Sequence, residues 1–136
     1  MLCAVYRRWG IFALTLIAIA VADLSSSRLK ALTDRPRPPL RYPKPKTLVP
    51  LPHDASFPSG HAATSFAAAT MLSFAFQRFA PLLYVLAAAV AFSRVYVGVH
   101  YPLDVLGGAL LGALIATALR LLVRGRQRSL ARRQSG

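Results

Sequence analysis

The sequence predicts an all-α integral membrane protein, a bundle of about four transmembrane helices beneath a proline-rich, basic surface loop. Hydrophobic residues make up 55% and charged residues 15% of the 136 residues, where an average soluble domain carries about 25% charged. The apolar residues gather into four segments, 9–24, 61–79, 81–98 and 103–123, each near the ~20 residues that cross ~30 Å of hydrocarbon. Between the first two segments lies a polar stretch with prolines at 36, 38, 39, 43, 45, 50, 52 and 58, which interrupts helix and sheet ladders alike. At this length residues 1–136 are expected to form a single domain.

The first segment has two readings. Arg7-Arg8, an apolar run and the small-residue pattern Ala20-Val21-Ala22 also resemble a cleavable secretory signal. Against cleavage, the chain runs on through Leu24 and Leu29 to Lys30, so a continuing helix presents Lys30 at its outer end. Asp23, near the membrane surface, is either a polar group facing the bundle or part of a site.

Residues 28–58 read as an extended loop with polyproline-like stretches. Its backbone groups would lack partners in lipid, so it belongs at the membrane surface, with residues 30–58 over the ends of the helices and over the active site. Attraction to anionic headgroups accounts for most of its basic residues, Arg28, Lys30, Arg35, Arg37, Arg41, Lys44 and Lys46.

Pro58-Ser59-Gly60-His61 opens the second span. Ser59 suits an N-cap, and Gly60 lets an anion approach the backbone N–H groups at the positive end of the helix. Taken singly, Ser59 reads as a simple cap and His61 as an interfacial histidine. A second histidine, two arginines and a lysine on the same side of the membrane favour an anion site instead.

Gln77-Arg78 closes the second span and Pro81 opens the third, so the tight link makes these two an antiparallel pair. Pro102 fits the first position of the last helix and pushes Tyr101 toward an extended conformation. Asp104 then occupies the third position, from which a carboxylate points back toward the residues before the helix. It is expected to reach a ring nitrogen of His100, orienting the imidazole, raising its basicity and leaving the other nitrogen as a nucleophile. Arg94 adds a planar fork of donors suited to phosphate. Within the last span Gly108, Gly112 and Ala116 form a small-residue stripe for close helix packing. The arginine-rich tail, 124–136, reads as a cytoplasmic orientation signal.

The formal charge of +13 raises nucleic acid as a partner, but the cations lie between and beyond the apolar segments rather than on one soluble face. The expected partner is the lipid bilayer, and no nucleic acid. Asp23, Asp34, Asp54 and Asp104 are the only carboxylates, too few and too scattered for a two-metal phosphatase site. No metal and no cofactor are expected. Cys3 is the only cysteine, which rules out an intrachain disulfide. Nine of the 17 Lys and Arg residues fall on the side of the termini and eight on the other. Reserving Lys30, Arg37 and Arg94 for an anion leaves five, and the positive-inside rule then puts both termini in the cytoplasm and the active site outside.

Three motifs now stand in order. They are K-x6-R-P from Lys30 to Arg37-Pro38, P-S-G-H from Pro58 to His61, and S-R-x5-H-x3-D from Ser93-Arg94 through His100 to Asp104. On these residues the chain resembles the type 2 phosphatidic acid phosphatases, membrane lipid phosphatases that share their site with vanadium haloperoxidases. The resemblance implies that Lys30, Arg37 and Arg94 bind phosphate oxygens, with Ser59 and the Gly60 backbone completing the cradle. It implies His100 as nucleophile, Asp104 as its orienting partner and His61 as general acid. The implied reaction is metal-independent hydrolysis of the terminal phosphate of a lipid phosphate or diphosphate, of the phosphatidate or polyprenyl diphosphate type, through a phosphohistidine. A phosphatase of a water-soluble phosphoester and a non-enzymatic binder of anionic lipid are the alternatives. Bacterial members usually have six spans, and the two expected before Trp9 are missing. The chain is thus read as a minimal version, a truncated product, or a protomer of a homo-oligomer that recovers packing surface by association.

Overall fold

The computed structural model describes residues 2–42 and 47–134. Lys44 and Lys46, two of the loop's expected headgroup contacts, lie outside the described residues. The described residues hold five α-helices and no strand: α1 (Leu2–Thr33), α2 (Pro38–Arg41), α3 (Gly60–Ser73), α4 (Ala80–Tyr96) and α5 (Pro102–Gln134), with a 3-10 turn at Gln77–Phe79 before α4.

α1 continues well past residue 24 and carries Lys30 in its last turn. Asp34 stops it at φ 41, a left-handed conformation that Asp tolerates better than most residues, while its N–H still reaches the Lys30 carbonyl at 3.1 Å. The expected extended loop therefore starts later, and it contains one helical turn. Pro38 and Pro39 open that turn, α2, where their missing N–H groups cost nothing.

The second apolar segment differs most from expectation. Its helix stops at Ser73 after 14 residues, about 21 Å at 1.5 Å per residue, rather than running to residue 79. Its buried residues include Ala62, Ala63, Ala67, Ala69, Thr70 and Met71, so α3 is the central helix of the bundle rather than a lipid-facing one. A short apolar run has the same sequence signature in either setting. Among the described residues three segments are long and apolar enough to cross a membrane, Trp9–Arg41, Gln77–Tyr96 and Pro102–Leu130.

The core is built from alanines. Ala18 and Ala22 of α1, Ala63 and Ala67 of α3 and Ala116 of α5 pack together with Met71. Small side chains let the backbones approach, and the glycine stripe carries this furthest. A Cβ on Gly108 would lie 2.3 Å from the Ser59 carbonyl oxygen, and one on Gly112 would lie 2.0 Å from that of Ala63. Large apolar side chains point the other way: Leu16, Leu82, Phe92, Leu110 and Leu114 are exposed. Apolar exterior over a small-residue interior is the pattern of an integral membrane protein. The C-terminal end of α1, the N-terminal end of α3, the C-terminal end of α4 and the N-terminal end of α5 all meet at one end of the bundle, where the segment after α1 crosses over them.

Candidate active site

The turn between α4 and α5 places His100. Val99 N–H bonds to the Arg94 carbonyl at 3.3 Å and Gly98 N–H to that of Val95 at 3.0 Å, the paired bonds of a Schellman cap. Gly98 takes φ 78, which glycine adopts without steric cost. The chain thereby reverses within a few residues of Arg94 and delivers Val99 and His100 to the buried side of the turn. Leu48 N–H ties the overlying loop to the Val97 carbonyl at 3.3 Å.

Pro102 opens α5 as expected. From the third position Asp104 turns back, and its Oδ2 accepts the Tyr101 N–H at 2.9 Å. The carboxylate is fully buried and also accepts from Arg35 Nη1 at 2.6 Å and from the Ser56 hydroxyl. His100 Nδ1 lies 3.7 Å from Asp104 Oδ2, close enough for electrostatic orientation but too long for a hydrogen bond. The other ring nitrogen, Nε2, meets Arg37 Nη1 at 3.3 Å.

Asp104 does act to raise the basicity of the ring, as expected, but the rest of its environment outweighs it. Burial pushes the His100 imidazole down to about 4, the nearby Arg37 cation pushes the same way, and Asp104 offsets only part of the change. Beside the carboxylate the ring is therefore still a weaker base than an ordinary histidine.

Lys30, Arg37, His61 and Arg94 line one cavity of about 320 Å³ together with Val49, Pro50 and Pro52 of the loop. His100 stands one layer behind its wall, against Arg37 and Val99. Arg37 is almost fully buried and spans the site, its Nη1 donating to the Val99 carbonyl at 2.9 Å. His61 is exposed at the second residue of α3. Arg94 Nε donates to its neighbour Ser93 Oγ at 3.2 Å.

Ser59 occupies the N-cap position of α3, yet its hydroxyl makes no capping bond. The Ser59 Oγ is buried without a partner. Its backbone N–H instead donates to the Asp104 carbonyl at 2.9 Å, locking the start of α3 to the start of α5. Gly60 is tight against α1, since a Cβ there would lie 3.3 Å from Ser26 Oγ. The structure thus brings all eight expected residues to one end of the bundle.

Three further residues belong to the constellation. Asp54 lines the same cavity and bridges two of its cations: Arg37 Nη2 reaches its Oδ1 at 2.6 Å, and Lys30 Nζ reaches its Oδ2. Partial burial opposes the Asp54 charge, but bonds from Lys30 and Arg37 outweigh it and hold the carboxyl down to about 2. Arg35 and Ser56 are the others, both on Asp104. Headgroup attraction is the expectation for most of the loop's basic residues, and only the place of Arg35 beside Arg37 in Arg35-Pro36-Arg37-Pro38 sets it apart. Among the described residues no three His, Cys, Asp or Glu side chains gather as metal ligands.

The fold and this end of the bundle define a multi-pass helical membrane protein with a cavity at one end lined by Lys30, Arg37, Arg94 and the His61 imidazole. The chain belongs to the PAP2 superfamily, whose family model matches residues 11–128. It is 39% identical over 113 residues to a decaprenylphosphoryl-5-phosphoribose phosphatase of Mycobacterium tuberculosis, covering 83% of this chain and 59% of that one. It is 38% identical over 102 residues to an undecaprenyl-diphosphatase of Sulfolobus acidocaldarius, covering 74% and 47%. The crystal structure of LpxE from Aquifex aeolicus superposes with a TM-score of 0.76 at 34% identity, over 82% of this chain and 68% of that one. The chain spans about half the length of the first two relatives.

Proposed function

We propose that the chain is a membrane lipid phosphatase that hydrolyses the terminal phosphate of a lipid phosphate or diphosphate, through a phosphohistidine and without a metal ion. The observation that carries this reading is the His100 Nε2 contact with Arg37, which sets a neutral imidazole nitrogen directly behind a cavity lined by Lys30, Arg37 and Arg94.

In this reading the three cations engage the phosphate oxygens, joined by the unpartnered Ser59 hydroxyl and the backbone at Gly60. They stabilise charge on the transferring phosphoryl group. The Nε2 lone pair of His100 forms the N–P bond while the P–O bond to the lipid breaks. His61 gives its proton to the departing oxygen, then takes one from the water that cleaves the N–P bond and frees inorganic phosphate. Asp104 holds the ring in one orientation. Asp54 and Asp104 are each committed to cationic partners, which supports a mechanism in which protein cations rather than a metal bear the phosphate charge. The adjusted charge count supports an outward-facing site with both termini in the cytoplasm.

The relatives' names point to polyprenyl substrates, and the spanning bundle suits a tail that stays in the bilayer. A phosphate-release panel on the purified protein with phosphatidate, phosphatidylglycerol phosphate, a polyprenyl diphosphate and glycerol phosphate tests the proposal. Release from at least one lipid, insensitive to EDTA, is expected. Release from glycerol phosphate alone, or activity abolished by EDTA and restored by magnesium, overturns it.

A further inference from the structure

Arg35 is the one arginine of the constellation that does not line the cavity. Its guanidinium lies over the Tyr101 ring at 4.4 Å from the centroid and donates to Asp104 Oδ1 at 2.6 Å. Its carbonyl accepts the Ser56 N–H at 2.8 Å, and the Ser56 hydroxyl binds the other oxygen of the same carboxylate. Arg35 therefore grips Asp104 twice, directly and through the loop residue it positions.

Such an arrangement answers a conflict built into the site. A fully buried carboxylate with no compensating charge is costly. Beside an imidazole it relieves that cost by holding the ring as imidazolium, and an imidazolium has no lone pair with which to attack phosphorus. The charges that bear on His100 are Lys30 of α1, Arg37 after it, Arg94 of α4, and Asp104 of α5 with its partner Arg35. Arg37 and Lys30 favour the neutral ring, and Asp104 opposes them, joined more weakly by a backbone hydrogen bond at Ser56.

We propose that Arg35 is a positioning residue for the reaction: it compensates the Asp104 charge, so that the carboxylate orients His100 without protonating it. The role in turnover rests on the phosphatase reading, but the state of the ring is measurable without activity. The test follows the His100 imidazole by 15N NMR in detergent micelles, assigned by its loss in His100→Ala, across a pH titration. In Arg35→Gln the carboxylate is uncompensated, and the ring should bind its proton about tenfold or more tightly. The double variant Arg35→Gln/Asp104→Asn removes both charges and should return the midpoint close to that of the natural chain. It also avoids a stranded buried charge, so it remains informative where the single variant does not fold; the Asp104→Asn single variant, with Arg35 left unopposed, should then shift the midpoint down. An unmoved midpoint in Arg35→Gln, or the same midpoint in the single and double variants, overturns the proposal, as does an unmoved midpoint in Asp104→Asn. Where turnover is present, Arg35→Gln should lose more kcat at pH 5 than at pH 8, whereas a merely structural defect lowers both equally.

Discussion

Arg37 and His100 meet at 3.3 Å between Nη1 and Nε2, and this contact assigns the protons of the imidazole. A guanidinium has only donors, so Nε2 must present its lone pair. The ring proton then sits on Nδ1, which faces the Asp104 carboxylate at 3.7 Å. One arginine thereby selects the tautomer whose unprotonated nitrogen faces Arg37, itself a residue of the cavity wall.

The first prediction follows from the low basicity of this ring. His100 is held down to about 4 by burial and by Arg37, so its nucleophilic form is present above that pH and is lost as pH falls through it. Phosphoenzyme formation from an aryl phosphate, whose leaving group needs no proton, should stay level from pH 8 to about pH 5 and fall below. Single-turnover rapid quench measures this directly. An acid limb at or above the ordinary histidine value of about 6.5 would contradict the assignment.

Asp54 sits where a phosphate would compete for the same cations. Half exposed, it pairs with Lys30 and Arg37, and two such pairs together are worth about 1 kcal/mol. Asp54→Asn should therefore bind vanadate, a mimic of five-coordinate phosphorus, about fivefold more tightly. Inhibition constants measured at fixed ionic strength test this. Weaker inhibition in the variant would mean that Asp54 positions the cations rather than competing for them.

The local features of this site were legible in the sequence, and the long-range ones were not. Pro102 and Asp104 announce a helix start with a back-turned carboxylate because the rule depends on three adjacent positions, and the Tyr101 N–H to Asp104 bond fulfils it. Lys30 was placed by the unbroken helical run before it. Asp104's bonds to Arg35 and Ser56 span 69 and 48 positions and are made by a proline-rich loop with no periodicity to read. Asp54 was invisible for the same reason. The short α3 failed differently, because an alanine-rich core helix and a membrane span share one composition.

The glycine stripe makes a stability prediction. A Cβ on Gly112 would meet the Ala63 carbonyl oxygen at 2.0 Å and the Ala67 nitrogen at 2.9 Å, backbone atoms that cannot swing aside. Gly112→Ala should cost at least the ~1–3 kcal/mol typical of overpacking and lower the melting temperature in detergent. Gly10→Ala, where the added atom has nothing within 4 Å and alanine is the better helix former, should leave it unchanged or raise it. Equal melting of the two variants would show that α3 and α5 can separate at no cost.

The last prediction separates the two histidines, which composition would treat as equivalent. His100 is buried, held between Arg37 and Asp104, and has one nitrogen with no proton on it, the one that meets Arg37. His61 is exposed on the cavity wall, where it can exchange protons with a leaving group and then with water. Attack on phosphorus is therefore expected from His100 and proton transfer from His61. His100→Ala should be inactive on every substrate, because the covalent step is gone. Loss of a general acid costs ~10²- to 10⁴-fold, and less when the leaving group is already a stable anion. His61→Ala should thus keep more of its activity toward an aryl phosphate with an acidic phenol than toward an alkyl phosphate. Its phosphoenzyme should also persist, since hydrolysis of the N–P bond lacks its base. Rapid quench with a radiolabelled phosphoryl donor, followed by alkaline digestion that preserves phosphohistidine, measures both. Label trapped on His61, or trapped equally well in His100→Ala, would reverse the two roles.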